Sequence, residues 1–382
     1  MNPYARHLID DADRAAVDAA LRSGWLTCGP AIGRFEAAVA RFTGTADGVA
    51  VSSGTAALHC AMHALGIGPG DEVIVPAMTF AATANAVLYQ GGTPVFADVE
   101  PDTLLLDPGQ VETLFSPRTK ALITVDYAGQ PSHYDALAKL CRERGAAFVA
   151  DACHSLGGED QGRRVGGLAD LSVFSFHPAK HLACGEGGMV VGDDPGLMRR
   201  MRAFRNHGID ADPGTRAARR TYHYEMHELG FNYRITDIQC ALGLSQLDKL
   251  PHFLDVRSKN AAVYDAIFER TARSGLVRPL ARRPGVRHAF HLYVVRVDFA
   301  GAGIDRQAVY GRLLDAGVGV NVHYLPVYLH PYYLSRLGTT PGLCPRAEAA
   351  YQTILSLPMH AAMGEAEAGY AAQTLMKILG AK

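Results

Sequence analysis

Through its first two thirds the chain alternates apolar runs of strand length with segments of helical periodicity, and that alternation leaves few folds open. The runs at 71–76 (DEVIVP), 93–99 (TPVFADV), 121–127 (ALITVDY), 146–151 (AAFVAD), 171–176 (LSVFSF) and 188–192 (GMVVG) carry apolar residues at neighbouring positions rather than at every second one. A strand covered on both faces needs that pattern, and parallel sheets are covered on both faces. Between the runs, 55–65 (TAALHCAMHAL) reads as a helix closed by Gly66, and 81–89 and 135–144 read as further helices. Strand, helix and strand in series predict an α/β domain with a mostly parallel sheet and ligands at the carboxyl ends of its strands.

After Leu247 the texture changes. A long helix is expected over 251–270, a loop rich in Arg, Pro and Gly over 275–285, and a strand over 288–298 (HAFHLYVVRVD). A helix over 305–316, a strand over 319–324 and helices near 345–355 and 365–379 follow. A chain of 382 residues is too long for one ordinary core. The expectation is therefore a large domain over 1–247, which includes an N-terminal segment, and a smaller α+β domain over 248–382.

The formal net charge of −1 gives no reason to expect nucleic acid or an anionic membrane as partner. No apolar run is long enough to span a bilayer, and residues 1–10 carry charge where a secretion signal would be apolar. The seven cysteines, an odd number, form no C-x-x-C pair and no zinc spacing. Reduced thiols in the cytoplasm are the expectation.

Several residues at predicted strand ends carry chemistry. Lys180 follows the strand FSF in FSFHPAK and precedes the glycine-rich 185–188. An amine there can condense with an aldehyde once burial or nearby cations keep it neutral; a lone lysine is otherwise a solvated surface group. Asp151 ends another buried run, where it is either the partner of a cationic ring nitrogen or a cap on the next loop. The stretch 52–58 (SSGTAAL) passes from a strand into a helix. The free backbone N–H groups at that helix start suit a phosphate, with the Thr55 hydroxyl added; the plainer reading is an N-cap. Ser175, five residues before Lys180, can reach the same phosphate. Phe80 opens a helix and either stacks on a flat ring or packs in the core. Asn232 is an amide donor or the cap of a helix beginning near Thr236. The histidine pairs His223/His227 and His177/His181 have the i, i+4 spacing of zinc sites but no convincing ligand set, so no metal is expected.

These segments together resemble the DegT/DnrJ/EryC1/StrS sugar aminotransferase family. The likeness runs over nearly the whole length. It is carried by GWLTCGP at 24–30, GPGDEVIVP at 68–76, FSFHPAK followed by GEGGM at 174–189, and GFNYRITD at 230–237. Within the family, 224–247, 321–326 (NVHYLP) and 330–333 (HPYY) are similar to enzymes of pseudaminic acid biosynthesis. The resemblance implies the fold type I, aspartate aminotransferase-like architecture and pyridoxal 5′-phosphate (PLP) as cofactor. It implies transfer of an amino group, from L-glutamate, to C4 of a UDP-linked 4-keto-6-deoxy-N-acetylhexosamine, giving UDP-4-amino-4,6-dideoxy-N-acetyl-β-L-altrosamine. The alternatives are a 3- or 4-aminotransferase acting on a dTDP- or GDP-linked keto-sugar, a dehydratase or lyase on the same scaffold, and a non-catalytic PLP-binding regulator.

Residue by residue, the resemblance implies Lys180 as the Schiff-base lysine, Asp151 as partner of the pyridinium nitrogen, and His154 as neighbour of the ring hydroxyl. It places Phe80 on the ring and Gly54, Thr55, Ala56 and Ser175 at the phosphate. Asn232 is implied as a phosphate ligand given to a second subunit, hence a homodimer with shared sites. Thr27, His323 and Tyr324 match positions near the nucleotide sugar. The chain departs from relatives at 182–184, where Leu-Ala-Cys precedes GEGG and Cys184 is a candidate for altering the pocket wall.

Overall fold

The computed structural model describes residues 2–211 and 213–380. Seven strands make one sheet: β1 (Asp47–Val51), β2 (Glu72–Pro76), β3 (Thr93–Ala97), β4 (Thr119–Val125), β5 (Ala147–Asp151), β6 (Leu171–Ser175) and β7 (Gly188–Gly192). They lie in the order β1-β7-β6-β5-β4-β2-β3. All neighbours from β6 across to β3 are parallel, and β7 runs against both β1 and β6.

The neighbouring apolar residues of each strand serve two cores. Val49, Val51, Val73, Val75, Val149 and Val190 face one; Ala50, Ile74, Phe148, Ala150, Met189 and Val191 face the other. Helices α1 (Asp11–Arg22), α2 (Pro30–Thr43), α3 (Gly54–Ala64), α4 (Ala81–Tyr89), α5 (Tyr134–Arg144) and α6 (Pro195–Phe204) follow in chain order. Helices α3, α4 and α6 cover the first face, and α2 and α5 the second. Each strand is therefore hidden from water above and below, which is why its sequence does not alternate.

The helix expected to begin at Pro251 is the second half of α7 (Asp237–Arg270). Thr236 caps it, accepting from the Gln239 N–H at 3.2 Å, while Gln239 Oε1 accepts from the Thr236 N–H at 3.0 Å. The cap is thus Thr236 and not Asn232. Proline lacks one helical donor, yet α7 runs through Pro251 because it is buried on both sides of that point. Leu247, Leu250 and Leu254 join the large-domain core, while Ala261, Tyr264, Ile267 and Phe268 join a third core. The position 247/248 falls inside this helix.

The third core lies under a small antiparallel sheet of β8 (Val277–Pro279), β9 (Tyr293–Val297) and β10 (Ile354–Leu357), with α8 (Arg306–Asp315) and α9 (Glu365–Ile378). Strand β8 lies in the stretch expected to be loop. The expected strand 288–298 is shorter, because 289 and 292 bond to the 128–129 turn of the large domain instead. No strand forms over 319–324. Asn321 makes one bridge to Ser356, and its Oδ1 accepts from the next N–H at 2.8 Å, a local turn that competes with ladder pairing. The chain there turns toward the large domain.

Candidate active site

A cavity of about 700 Å³ opens at the carboxyl ends of β4, β5 and β6, where Val125, Asp151 and Ser175 reach its wall. Ser53, Gly54 and Thr55 line it at the start of α3, and Phe80 at the start of α4. The small domain closes the other side with His291 and residues 321–324, and Tyr4 of the N-terminal segment joins them.

The α3 entrance is built for close approach. Ser53 is the N-cap, and its Oγ accepts from the Ala56 N–H at 3.1 Å. That bond leaves the N–H groups of Gly54 and Thr55 as the first-turn donors facing the cavity; Ala56 itself is buried in the core and off the cavity wall. A Cβ at Gly54 would stand 2.9 Å from Ser175 Cβ, so only glycine lets the helix start sit this near the end of β6. Two serines and a threonine hydroxyl thus surround unpaired backbone donors at the positive end of a helix, an anion-binding arrangement.

Asp151 is 7% exposed. Its Oδ2 accepts from Thr83 Oγ1 at 2.8 Å, and its Oδ1 from the Cys153 N–H at 3.3 Å. Thr83 is itself bonded to Thr79 Oγ1 at 2.6 Å. The carboxylate is thereby oriented with cavity still in front of it. His154 lies beside it, buried, its Nε2 3.3 Å from the Tyr324 hydroxyl and its Nδ1 without a partner among the described residues. Burial holds His154 far below the usual imidazole range, and burial raises Tyr324 well above the usual phenol range.

Lys180 is half-buried and lines the cavity, and burial lowers its amine from the ordinary lysine value while Cys153 and Asp151 pull the other way. Its Nζ lies 3.4 Å from His291 Nε2. Phe80 is 61% exposed and presents its ring to the cavity, 6.1 Å from the ring of Tyr324. His323 is buried, bonded through Nδ1 to Ser356 Oγ at 2.8 Å, and lowered by burial to about 4.

Of the residues read from sequence, Lys180, Asp151, Gly54, Thr55, Phe80, His154, Ser175, His323 and Tyr324 share this one cavity. Thr27 and Asn232 do not. Thr27 pairs with Thr236, and Asn232 is exposed and pairs with Asn206. Cys184 is buried in the second core, near Gly243, and does not line the cavity. Sequence reasoning missed Tyr4, Thr83, Cys153 and His291. Thr83 stood in a recognised helix three residues after Phe80 and was legible as a possible donor; Tyr4 and His291 arrive from distant segments that no local pattern ties to the site.

The donor set fits PLP: an anion cradle, a fixed carboxylate, a buried amine at a strand end and an exposed aromatic face share one cavity. A doubly covered, mostly parallel sheet with a smaller domain closing such a cavity defines the PLP-dependent transferases of fold type I. Within that class, residues 7–376 match the DegT/DnrJ/EryC1/StrS aminotransferase family, and the chain belongs to it. It is 38% identical over 365 residues to the spore coat polysaccharide biosynthesis protein SpsC of Bacillus subtilis, covering 95% of this chain and 93% of that protein. Helicobacter pylori PseC, an aminotransferase involved in the biosynthesis of pseudoaminic acid, superposes with a TM-score of 0.91 at 32% identity over 99% of both chains. Spr1654 of Streptococcus pneumoniae, solved in its PMP form, superposes with a TM-score of 0.91 at 30% identity over 99% of both chains. The chain is a sugar aminotransferase with PLP as cofactor. No described helix is long and apolar enough to cross a membrane.

Proposed function

We propose that this aminotransferase takes its amino group from L-glutamate and delivers it to C4 of a UDP-linked 4-keto-6-deoxy-N-acetylhexosamine. The product is then UDP-4-amino-4,6-dideoxy-N-acetyl-β-L-altrosamine. The observation that carries this reading is that His323 and Tyr324, within the 321–326 stretch, line the same cavity as Lys180. The likeness to PseC supports it.

PLP, when bound, supplies an aldehyde that condenses with amines and a ring that draws electrons from the carbon losing its proton. The chain's residues do the rest. The N–H groups of Gly54 and Thr55, with the Thr55 and Ser175 hydroxyls, anchor the phosphate. Asp151, fixed by Thr83, holds a proton on the ring nitrogen, and Phe80 covers the ring face. Lys180, whose amine burial shifts toward its neutral form, would carry the cofactor at Nζ and, when free, hold and move the proton at that atom. His154 and Tyr324 exclude water from that side. Asn232 serves a second copy of the chain in a homodimer, at that copy's phosphate. Free thiols at all seven cysteines accord with a cytoplasmic enzyme.

A second reading, amination at C3 or C4 of a different nucleotide-linked keto-sugar, is favoured by the 38% identity to SpsC, named for a polysaccharide pathway. Purified protein with PLP, glutamate and a panel of nucleotide-linked keto-sugars, read by mass spectrometry and proton NMR, separates the two. The first reading expects a C4 amine on the UDP sugar. Amination at C3, or preference for a dTDP or GDP sugar by kcat/KM, overturns it.

A further inference from the structure

We propose that His291 is a positioning residue for Lys180, aiming the amine's lone pair into the cavity. This deepens, and rests on, the reading of Lys180 as the cofactor-bearing amine. Among the described residues, the 3.4 Å contact with His291 Nε2 is the only side-chain hydrogen bond of Lys180 Nζ. An amine is a donor in both protonation states. In the arrangement proposed, Nε2 accepts one N–H bond, the ring proton sits on Nδ1, and the amine's lone pair is left to point elsewhere.

The imidazole comes from the segment just before β9, and its backbone is fastened beyond what a loop needs. Ala289 N–H donates to Gly129 O at 2.8 Å and Leu292 N–H to Ala128 O at 3.0 Å. His181 Nε2 bonds Ala289 O at 2.9 Å. The fully buried Arg257, from α7, donates to Phe290 O at 3.0 Å and more weakly to His291 O at 3.4 Å. Ala128 and Phe290 both hold left-handed φ, 59° and 49°. A Cβ at Gly129 would lie 2.8 Å from the His291 nitrogen and 2.7 Å from His154 O. Strained backbone persists only where surroundings over-determine it. Here all of it converges on one side chain. That side chain is 5% exposed, and its Nδ1 has no partner among the described residues, so its one polar contact is the amine. Burial keeps it neutral, which preserves Nε2 as an acceptor.

The test uses apoprotein mixed with PLP, at a pH where the wild-type rate has reached its plateau. Growth of the visible absorption band is followed by stopped flow, and borohydride reduction with peptide mapping locates the modified lysine. The step is addition of the amine to the aldehyde with loss of one water. His291→Phe keeps the volume and removes the acceptor; its plateau rate should fall about tenfold or more, the scale of a misaimed reacting group. A glutamine amide reaches the place of Nε2, whereas an asparagine amide stops near that of Nδ1. His291→Gln should therefore recover most of the rate and His291→Asn little of it. A Phe variant within twofold of wild type, or Gln and Asn variants alike, overturns the proposal. If the Phe variant does not fold, the Gln–Asn pair decides alone. Labelling of a lysine other than Lys180 in the wild type sinks the lysine assignment itself, and this proposal with it.

Discussion

Replacing Gly54 with alanine separates the stability of the α3 entrance from its use as an anion cradle. The new Cβ would stand 2.9 Å from Ser175 Cβ, 3.2 Å from its Oγ and 3.4 Å from Cys153 Sγ. Carbon atoms prefer about 3.5–4.0 Å, so the first turn of α3 must retreat by roughly 0.6–1 Å. The neighbours yield little, since Ser175 ends β6 and Cys153 follows β5 in the central sheet. Overpacking of this kind costs about 1–3 kcal/mol, and exchanging glycine for alanine in a helix returns up to about 1 kcal/mol. Net stability should fall by about 0–3 kcal/mol. Cofactor binding is hit harder, because the Gly54 and Thr55 N–H groups move with the turn. A hydrogen bond to a charged group contributes about 1.5–3 kcal/mol, and about 1.4 kcal/mol is tenfold in affinity. The loss of one such bond therefore weakens PLP about tenfold to a hundredfold. Equilibrium titration of apoprotein with PLP, beside urea unfolding, reads both quantities. An unchanged Kd in a folded variant would refute the assignment of this helix start to the phosphate.

Three further outcomes follow from the proposed function and the structure. Lys180→Ala should abolish transamination while still binding PLP through the cradle; robust turnover in that variant removes Lys180 from the chemistry. Hybrid dimers of an inactive Lys180 variant and an inactive Asn232 variant should regain partial activity, since each hybrid restores one intact site. Verified subunit exchange without recovery counts against sites shared between copies. Asp126 is fully buried, and burial raises its carboxyl from 3.8 to about 6 despite bonds from Ser155, Tyr134 and Ser132. A raised folded pKa means the folded state holds the proton, so this group's stabilisation is present at low pH and is lost as pH rises through about 6. The stability advantage of wild type over Asp126→Asn should therefore shrink by about 2 kcal/mol between about pH 4 and pH 7. Urea unfolding at several pH values measures it, and a difference that does not change with pH contradicts the assignment.

The large domain was legible because its strands are covered twice. Runs such as 147–151 must be apolar at neighbouring positions when Phe148 and Val149 enter opposite cores. Glycine and proline also mark its ends clearly. The second half resisted for physical reasons. Pro251 imitates a helix start, and only burial on both sides of it, by Leu250 and by Phe253 and Leu254, shows that α7 continues. The 319–324 run has strand composition, but the Asn321 side chain takes the neighbouring amide and the pairing ends after one bridge.

The same distinction runs through the cavity. The residues facing the anion cradle and the amine stand at strand ends and helix starts, where backbone geometry dictates residue type, so Asp151, Gly54 and Lys180 stand out locally. The opposite wall is assembled from Tyr4, His291, His323 and Tyr324, which are brought in from segments far apart in the chain. Their placement depends on long-range fastenings such as Tyr127 hydroxyl to His323 O and Arg257 to Phe290 O. No periodicity records contacts of that range. A scaffold that holds its amine in local motifs and its opposite wall in long-range ones can vary that wall without disturbing the amine, which is how one fold can serve many sugars.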